Sequence, residues 1–237
     1  MNRILRIVLC NFFRIPGAYF KLRYYAKHAD EYDPAFMFQH INKTMNLVVK
    51  GGNIDLQVYG KENIPKEDGY MLYANHQGLF DVVAIASTFE GRISCVYKKE
   101  IANVPFLKQI YKITNSYAMD REDVRQSLKV IQSVTEEVKS GGNYLIFPEG
   151  TRSKNGNVMG EFHGGSFRCA VKAKCPIVPI AFIDSWKVFE QKGSKRVSVQ
   201  IHYLEPIPYE TFKDMKPAEV AVLVKERIQA TLDAYSK

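Results

Sequence analysis

From residue 53 onward, short apolar runs alternate with longer stretches of helical periodicity. This alternation restricts the fold more than any other feature of the chain. It predicts strands at 56–59, 70–74, 93–97, 117–119, 144–147, 177–182 and 197–203, and helices at 79–89, 106–113, 122–140, 166–173 and 217–235. The clearest helix follows Arg121: Val124, Leu128, Ile131, Val134 and Val138 recur on one face, and Gly141-Gly142 ends it. Strands separated by helices of this length suit parallel neighbours, with helices covering both sheet faces. The expected fold is therefore α/β, a mixed and largely parallel sheet flanked by helices. Segment 197–203 places Val197, Val199, Ile201 and Tyr203 on one side, the pattern of an edge strand with one wet face.

Residues 1–50 have a different character, and the expected division is an N-terminal basic-aromatic helical segment at 1–50 and an α/β domain at 51–237. Arg3, Arg6, Arg14, Lys21, Arg23 and Lys27 are interleaved with Phe12, Phe13, Tyr19, Phe20, Tyr24 and Tyr25. Pro16-Gly17 is expected to split this stretch into two short helices. Asp33-Pro34 opens a third, with Asp as N-cap, Met37, Ile41, Met45 and Val48 on one face, and Gly51 at the end. Basic and aromatic residues on short helices suit a membrane interface; the plain alternative is a helical cap packed on the domain.

Lys and Arg number 33 against 25 Asp and Glu, a net charge of +8. That balance favours an anionic partner (nucleic acid, a phosphate-bearing metabolite or an anionic membrane) without choosing among them. No run reaches the roughly 18 apolar residues that a bilayer span requires. The N-terminus lacks a small-residue cleavage site after its apolar run, so secretion is not expected. Cys10, Cys95, Cys169 and Cys175 form no C-x-x-C pair, which reads as free thiols in a reducing cytosol.

Four constellations could carry chemistry. In Asn75-His76-Gln-Gly-Leu-Phe-Asp81, His76 and Asp81 would lie about 140° apart on a regular helix. They meet only if His76 occupies the turn before the helix, and Gly78 permits such a turn. Asp81 would then fix the imidazole tautomer. The spacing alone identifies nothing, because His28 and Asp33 repeat it; only the position after a strand separates the two pairs. In Phe147-Pro-Glu149-Gly150-Thr151-Arg152-Ser153, a tight loop brings hydroxyls, backbone N–H groups and an Arg together, as phosphate recognition requires. A Glu149–Arg152 loop salt bridge is the plain alternative. Asp120-Arg121 reads by itself as a cap and a solvated ion pair, and Lys98-Lys99 as surface charge. G-x-S-x-G, P-loop, G-x-G-x-x-G and H-E-x-x-H patterns are absent, so nothing points to a covalent serine, a nucleotide cofactor or a metal.

Together and in this order, the constellations resemble the glycerolipid acyltransferases, the family that includes 1-acyl-glycerol-3-phosphate (lysophosphatidate) acyltransferase. Asn75, His76 and Asp81 match its N-H-x4-D block, Lys98-Lys99-Glu100 and Asp120-Arg121 its second block, Phe147–Ser153 its F-P-E-G-T-R-S block, and Ile177-Val178-Pro179-Ile180 its last. The chain departs from the family at Glu161-Phe-His163-Gly164-Gly165, where a Lys-rich F-K-x-G element is usual, and at Gln77-Gly78, where a small hydroxyl residue is common. The resemblance implies His76 as general base oriented by Asp81. It assigns Lys98, Arg121 and Arg152 to the acceptor phosphate and gives Glu149 the task of holding the loop that includes Gly150 and Thr151. It implies no cofactor beyond an acyl thioester co-substrate (acyl-CoA or acyl carrier protein), lysophosphatidate as acceptor, and an anionic membrane surface as partner, with the protein peripheral on the cytoplasmic face. Other readings are an enzyme for another lysolipid, a non-catalytic membrane-binding module and a nucleic-acid binder; the last has no motif to support it.

Overall fold

The computed structural model describes residues 2–235. Three helices, α1 (Arg3–Cys10), α2 (Ile15–Lys27) and α3 (Pro34–Gly51), precede β1 (Ile54–Tyr59), β2 (Met71–Ala74) and α4 (Phe80–Thr88). Next come β3 (Ser94–Lys98), α5 (Pro105–Ile113), β4 (Tyr117–Met119), α6 (Val124–Lys139) and β5 (Tyr144–Ile146). The chain closes with α7 (Arg168–Ala173), β6 (Ile177–Ile183), α8 (Lys187–Glu190), β7 (Val197–Tyr203), α9 (Tyr209–Phe212) and α10 (Pro217–Tyr235).

The strands form one sheet in the order β1-β7-β6-β2-β5-β3-β4. Every neighbouring pair is parallel except β6–β7. Strands β2, β5 and β6 are buried along their whole length, which is why their sequences read as unbroken apolar runs. On one face, Leu72, Ala74, Ile180 and Phe182 pack with Ile41 of α3 and Phe80 and Ala84 of α4. On the other, Met71, Tyr73, Ile177 and Ala181 pack with Val134 of α6 and Val224 and Ile228 of α10. The sheet is thus covered on both sides, as the alternation of elements predicts.

Two expectations are corrected. Strand β7 is not an edge: it lies between β1 and β6, and the edges are β1 and β4. Its alternation reports a thinly covered face, where Ser198 is exposed, rather than a missing neighbour. Pro16-Gly17 does not separate the first two helices either. Pro16 sits in the first turn of α2, where its missing N–H is no loss. The break falls at Asn11, whose carbonyl accepts from Arg14 and Ile15 N–H.

Asp33 caps α3 as expected, accepting from Phe36 N–H at 2.8 Å, and Met37, Ile41 and Met45 are buried. Helix α1 is fastened to the domain by Arg3, which is 3% exposed. Its Nε donates to Val188 O (2.8 Å) and its Nη1 to Gly52 O (2.7 Å). The outward side of this region exposes Ile4, Leu5, Leu9, Phe12, Phe13 and Phe20. No helix among the described residues is long and apolar enough to cross a membrane.

Candidate active site

The C-terminal ends of β6, β2, β5, β3 and β4, adjacent in the sheet and parallel, lie on one rim, where open α/β sheets bind ligands. His76 leaves β2 and occupies the turn before α4, and Asp81 lies in the first turn of that helix. His76 Nδ1 and Asp81 Oδ2 are 2.7 Å apart. Asp81 is fully buried, and the same oxygen accepts from Gln77 N–H (2.7 Å) and Gly78 N–H (3.0 Å). A helix N-terminus favours a carboxylate there. Because a carboxylate surrounded by donors only accepts, Nδ1 carries the imidazole proton and Nε2 keeps its lone pair. The ring stacks on Phe147 with centroids 4.1 Å apart.

The loop after β5 is tied to that turn by Glu149. This buried side chain accepts from His76 N–H through Oε1 (2.7 Å) and from Gly160 N–H through Oε2 (2.7 Å). Burial pushes its carboxyl above the usual range, opposed by those two hydrogen bonds. Ser153 N–H adds a second tie to the turn, donating to His76 O at 2.7 Å. The Glu149–Arg152 salt bridge does not form; the Arg152 guanidinium faces Glu190 at 3.4 Å instead.

His76, Lys98, Arg121, Gly150, Thr151 and Arg152 line one cleft of about 330 Å³, with Leu79 at its edge. Glu149 lies behind it. Asp120 and Arg121 part company: Asp120 pairs with Lys99 at 2.9 Å, while Arg121 packs over Gly150. Gly150 has φ +73°, a conformation that favours glycine, and a Cβ there would stand 2.9 Å from Arg121 Nη1, so the guanidinium lies this close only over a glycine. Arg121 has no carboxylate within 4.0 Å among the described ion pairs, and burial lowers its pKa while the guanidinium stays charged. Lys98 meets Glu100 at 2.9 Å. Both pairs are exposed to solvent and therefore weak, so an anion entering the cleft can displace the carboxylates. Burial pushes the Cys95 thiol in the same cleft up to about 11, which leaves it no nucleophile near neutral pH.

A family model described as acyltransferase matches residues 55–183, more than half of the chain. The chain belongs to the acyltransferase family. The 1-acyl-sn-glycerol-3-phosphate acyltransferase of Saccharomyces cerevisiae is 28% identical over 233 residues, covering 97% of this chain and 75% of the yeast protein. The 1-acyl-sn-glycerol-3-phosphate acyltransferase alpha of Bos taurus is 28% identical over 174 residues, 72% of this chain and 59% of the bovine protein. The crystal structure of the 1-acyl-sn-glycerophosphate acyltransferase of Thermotoga maritima superposes with a TM-score of 0.79 at 20% identity, over 98% of this chain and 97% of that one, a likeness of fold.

Around the acyltransferase cleft are residues to which the sequence assigns no role. Gln77 donates to Phe182 O (2.7 Å) and Asn157 Oδ1 (2.8 Å), and Ser185 Oγ donates to Asp81 Oδ1. Phe147 supports the imidazole. A second cleft, of about 380 Å³, shares Val96, Arg121, Phe147 and Gly150 with the first and continues over Met119, Val124, Leu128 and Ile131. His163, where the family usually has a lysine, lines this second cleft beside Arg168. Of these, Phe147 stands at the head of the loop motif, and Gln77 and His163 stand where the chain departs from the family pattern; Ser185, Asn157 and Arg168 had no local signal.

Proposed function

We propose that this acyltransferase moves an acyl chain from a thioester, of coenzyme A or acyl carrier protein, onto the free hydroxyl of 1-acyl-glycerol-3-phosphate, giving phosphatidic acid. The observation that carries the reading is that His76 and the cations Lys98, Arg121 and Arg152 line a single cleft. The names of the yeast and bovine relatives support the same acceptor. His76 Nε2 takes the hydroxyl proton as the oxygen attacks the thioester carbonyl. The tetrahedral adduct collapses with breakage of the C–S bond, and the imidazolium returns the proton to the departing sulfur. Asp81 stabilises the imidazolium, and Glu149 keeps the base and the cationic loop in register. Charge-assisted contacts to a phosphate contribute about 1.5–3 kcal/mol each. The N-terminal helices rest on a membrane interface at its cytoplasmic face, the apolar outer side toward the acyl chains and the basic residues toward anionic headgroups.

The test is acyl transfer by the full chain in anionic vesicles, across a panel of lysolipid acceptors and both donor types. Replacing His76 by alanine is expected to lower kcat by about 10²–10⁴ with the melting transition retained. Turnover near wild type in a folded His76→Ala protein, or no preference for the phosphate-bearing acceptor, overturns the reading.

A further inference from the structure

We infer that Ser185, on the segment after β6, is a positioning residue for the acid–base pair and acts by holding the second oxygen of Asp81. The inference rests on the reading of His76 as base. The two carboxylate oxygens of Asp81 are served unequally. Oδ2 accepts from His76 Nδ1, Gln77 N–H and Gly78 N–H, whereas Oδ1 has one partner among the described residues, the Ser185 hydroxyl. Asp81 and Ser185 are both 0% exposed, so water does not replace that partner.

The surroundings of Ser185 direct its single hydroxyl proton. Its backbone N–H donates to Gln77 Oε1 at 3.0 Å, and Gln77 Oε1 also stands 3.1 Å from the hydroxyl. With that amide oxygen already satisfied by the backbone, the proton goes to the stronger acceptor, the carboxylate. Gln77 is itself fixed through Nε2 to Phe182 O and Asn157 Oδ1. Asn157 and Asp184 close a reciprocal pair, Nδ2 to Asp184 Oδ1 at 3.1 Å and Asp184 N–H to Asn157 Oδ1 at 2.9 Å. Ser185 is therefore set in place by side chains that do not touch His76. Without its hydroxyl, Oδ1 is a buried oxygen lacking a donor, and the carboxylate is free to turn toward the N–H groups of the turn and away from the imidazole. The effect passes through Asp81 to the orientation of His76, and reaches neither substrate directly.

The experiment is a double-mutant cycle with steady-state kinetics on the full chain in vesicles. Ser185→Ala is expected to lower kcat by about 10- to 100-fold, the loss of one hydrogen bond to a charged group, with both KM values within about twofold. In an Asp81→Asn background the same substitution is expected to change kcat by less than about twofold, because its route is already cut. An equal loss in both backgrounds, or an unaltered kcat in Ser185→Ala, refutes the positioning role. Should the alanine variant lack a melting transition, Ser185→Cys keeps the volume with a weak donor, and a wild-type kcat there is equally decisive. His76→Ala separates the two claims. Turnover in that variant refutes the base and this inference together, whereas its loss beside an unaltered Ser185→Ala refutes this inference alone.

Discussion

Replacing Gly150 by alanine separates the backbone's demand from the ligand's. The residue adopts φ +73°, where a non-glycine residue costs about 1–2 kcal/mol. The new Cβ would stand 2.9 Å from Arg121 Nη1 and 3.2 Å from its Cζ, against an ordinary carbon contact of about 3.5–4.0 Å. Because the obstructed group is the far end of a flexible side chain, the guanidinium retreats and the loop survives. Stability should therefore fall only by the backbone cost, lowering Tm by about 2–8 °C for a chain of this size. Function should fall further. Loss of one charge-assisted contact, about 1.5–3 kcal/mol, raises the acceptor KM about 10- to 150-fold. The donor KM and kcat should stay near wild type, since Asp81 and the imidazole do not touch Gly150. Thiol release, followed while each substrate is varied in turn, measures all three constants, and thermal denaturation gives Tm. A lowered Tm with an unchanged acceptor KM would show that Arg121 does not hold the acceptor. A rise confined to the donor KM would move Arg121 to the donor's side of the reaction.

Two further outcomes follow from the same structure. Phe12 and Phe13 are 59% and 92% exposed, so serine at both positions should leave Tm unchanged and weaken co-sedimentation with anionic vesicles by at least about tenfold; unchanged binding removes the docking role. His202 is buried against Tyr59 and Tyr235, with centroids at 4.5 and 4.6 Å, and burial lowers its pKa. Below about pH 6.5 the unfolded chain then binds more protons at this residue than the folded one, so stability is present above that pH and lost as pH falls. His202→Phe should flatten the dependence of Tm on pH between 4.5 and 6.5, and an identical slope contradicts it.

All seven strands were legible because burial on both faces leaves β2, β5 and β6 without alternation, and because the intervening helices carry a 3.6-residue stripe. What alternation does not encode is the neighbour across the ladder, and so β7 was assigned to an edge. Pro16-Gly17 misled for a local reason: a proline that ends one helix is equally at home in the first turn of the next. The buried Asn11 side chain, donating to Ile7 O and Leu47 O, makes the break instead. At the site, His76, Arg121 and the 147–153 loop could be named from blocks in register. Ser185 and Asn157 could not, and Gln77 was visible only as a departure from the family pattern. The bonds that join them to the turn span 80 to 108 residues of the chain, and no spacing within one segment reports a bond of that length.

The bond between Ser185 and Asp81 spans 104 residues. It closes only when β6 is laid against β2, after the chain has been made through residue 185. Long-range pairings of this kind form late, since loop-closure entropy opposes them until the intervening strands are in place. A nascent or truncated chain that stops short of β6 holds both His76 and Asp81 yet lacks the donor that completes the carboxylate's environment. The surroundings of Asp81 are thus complete only once β6 has joined the sheet, and a chain that ends before it carries this carboxylate with one oxygen unserved.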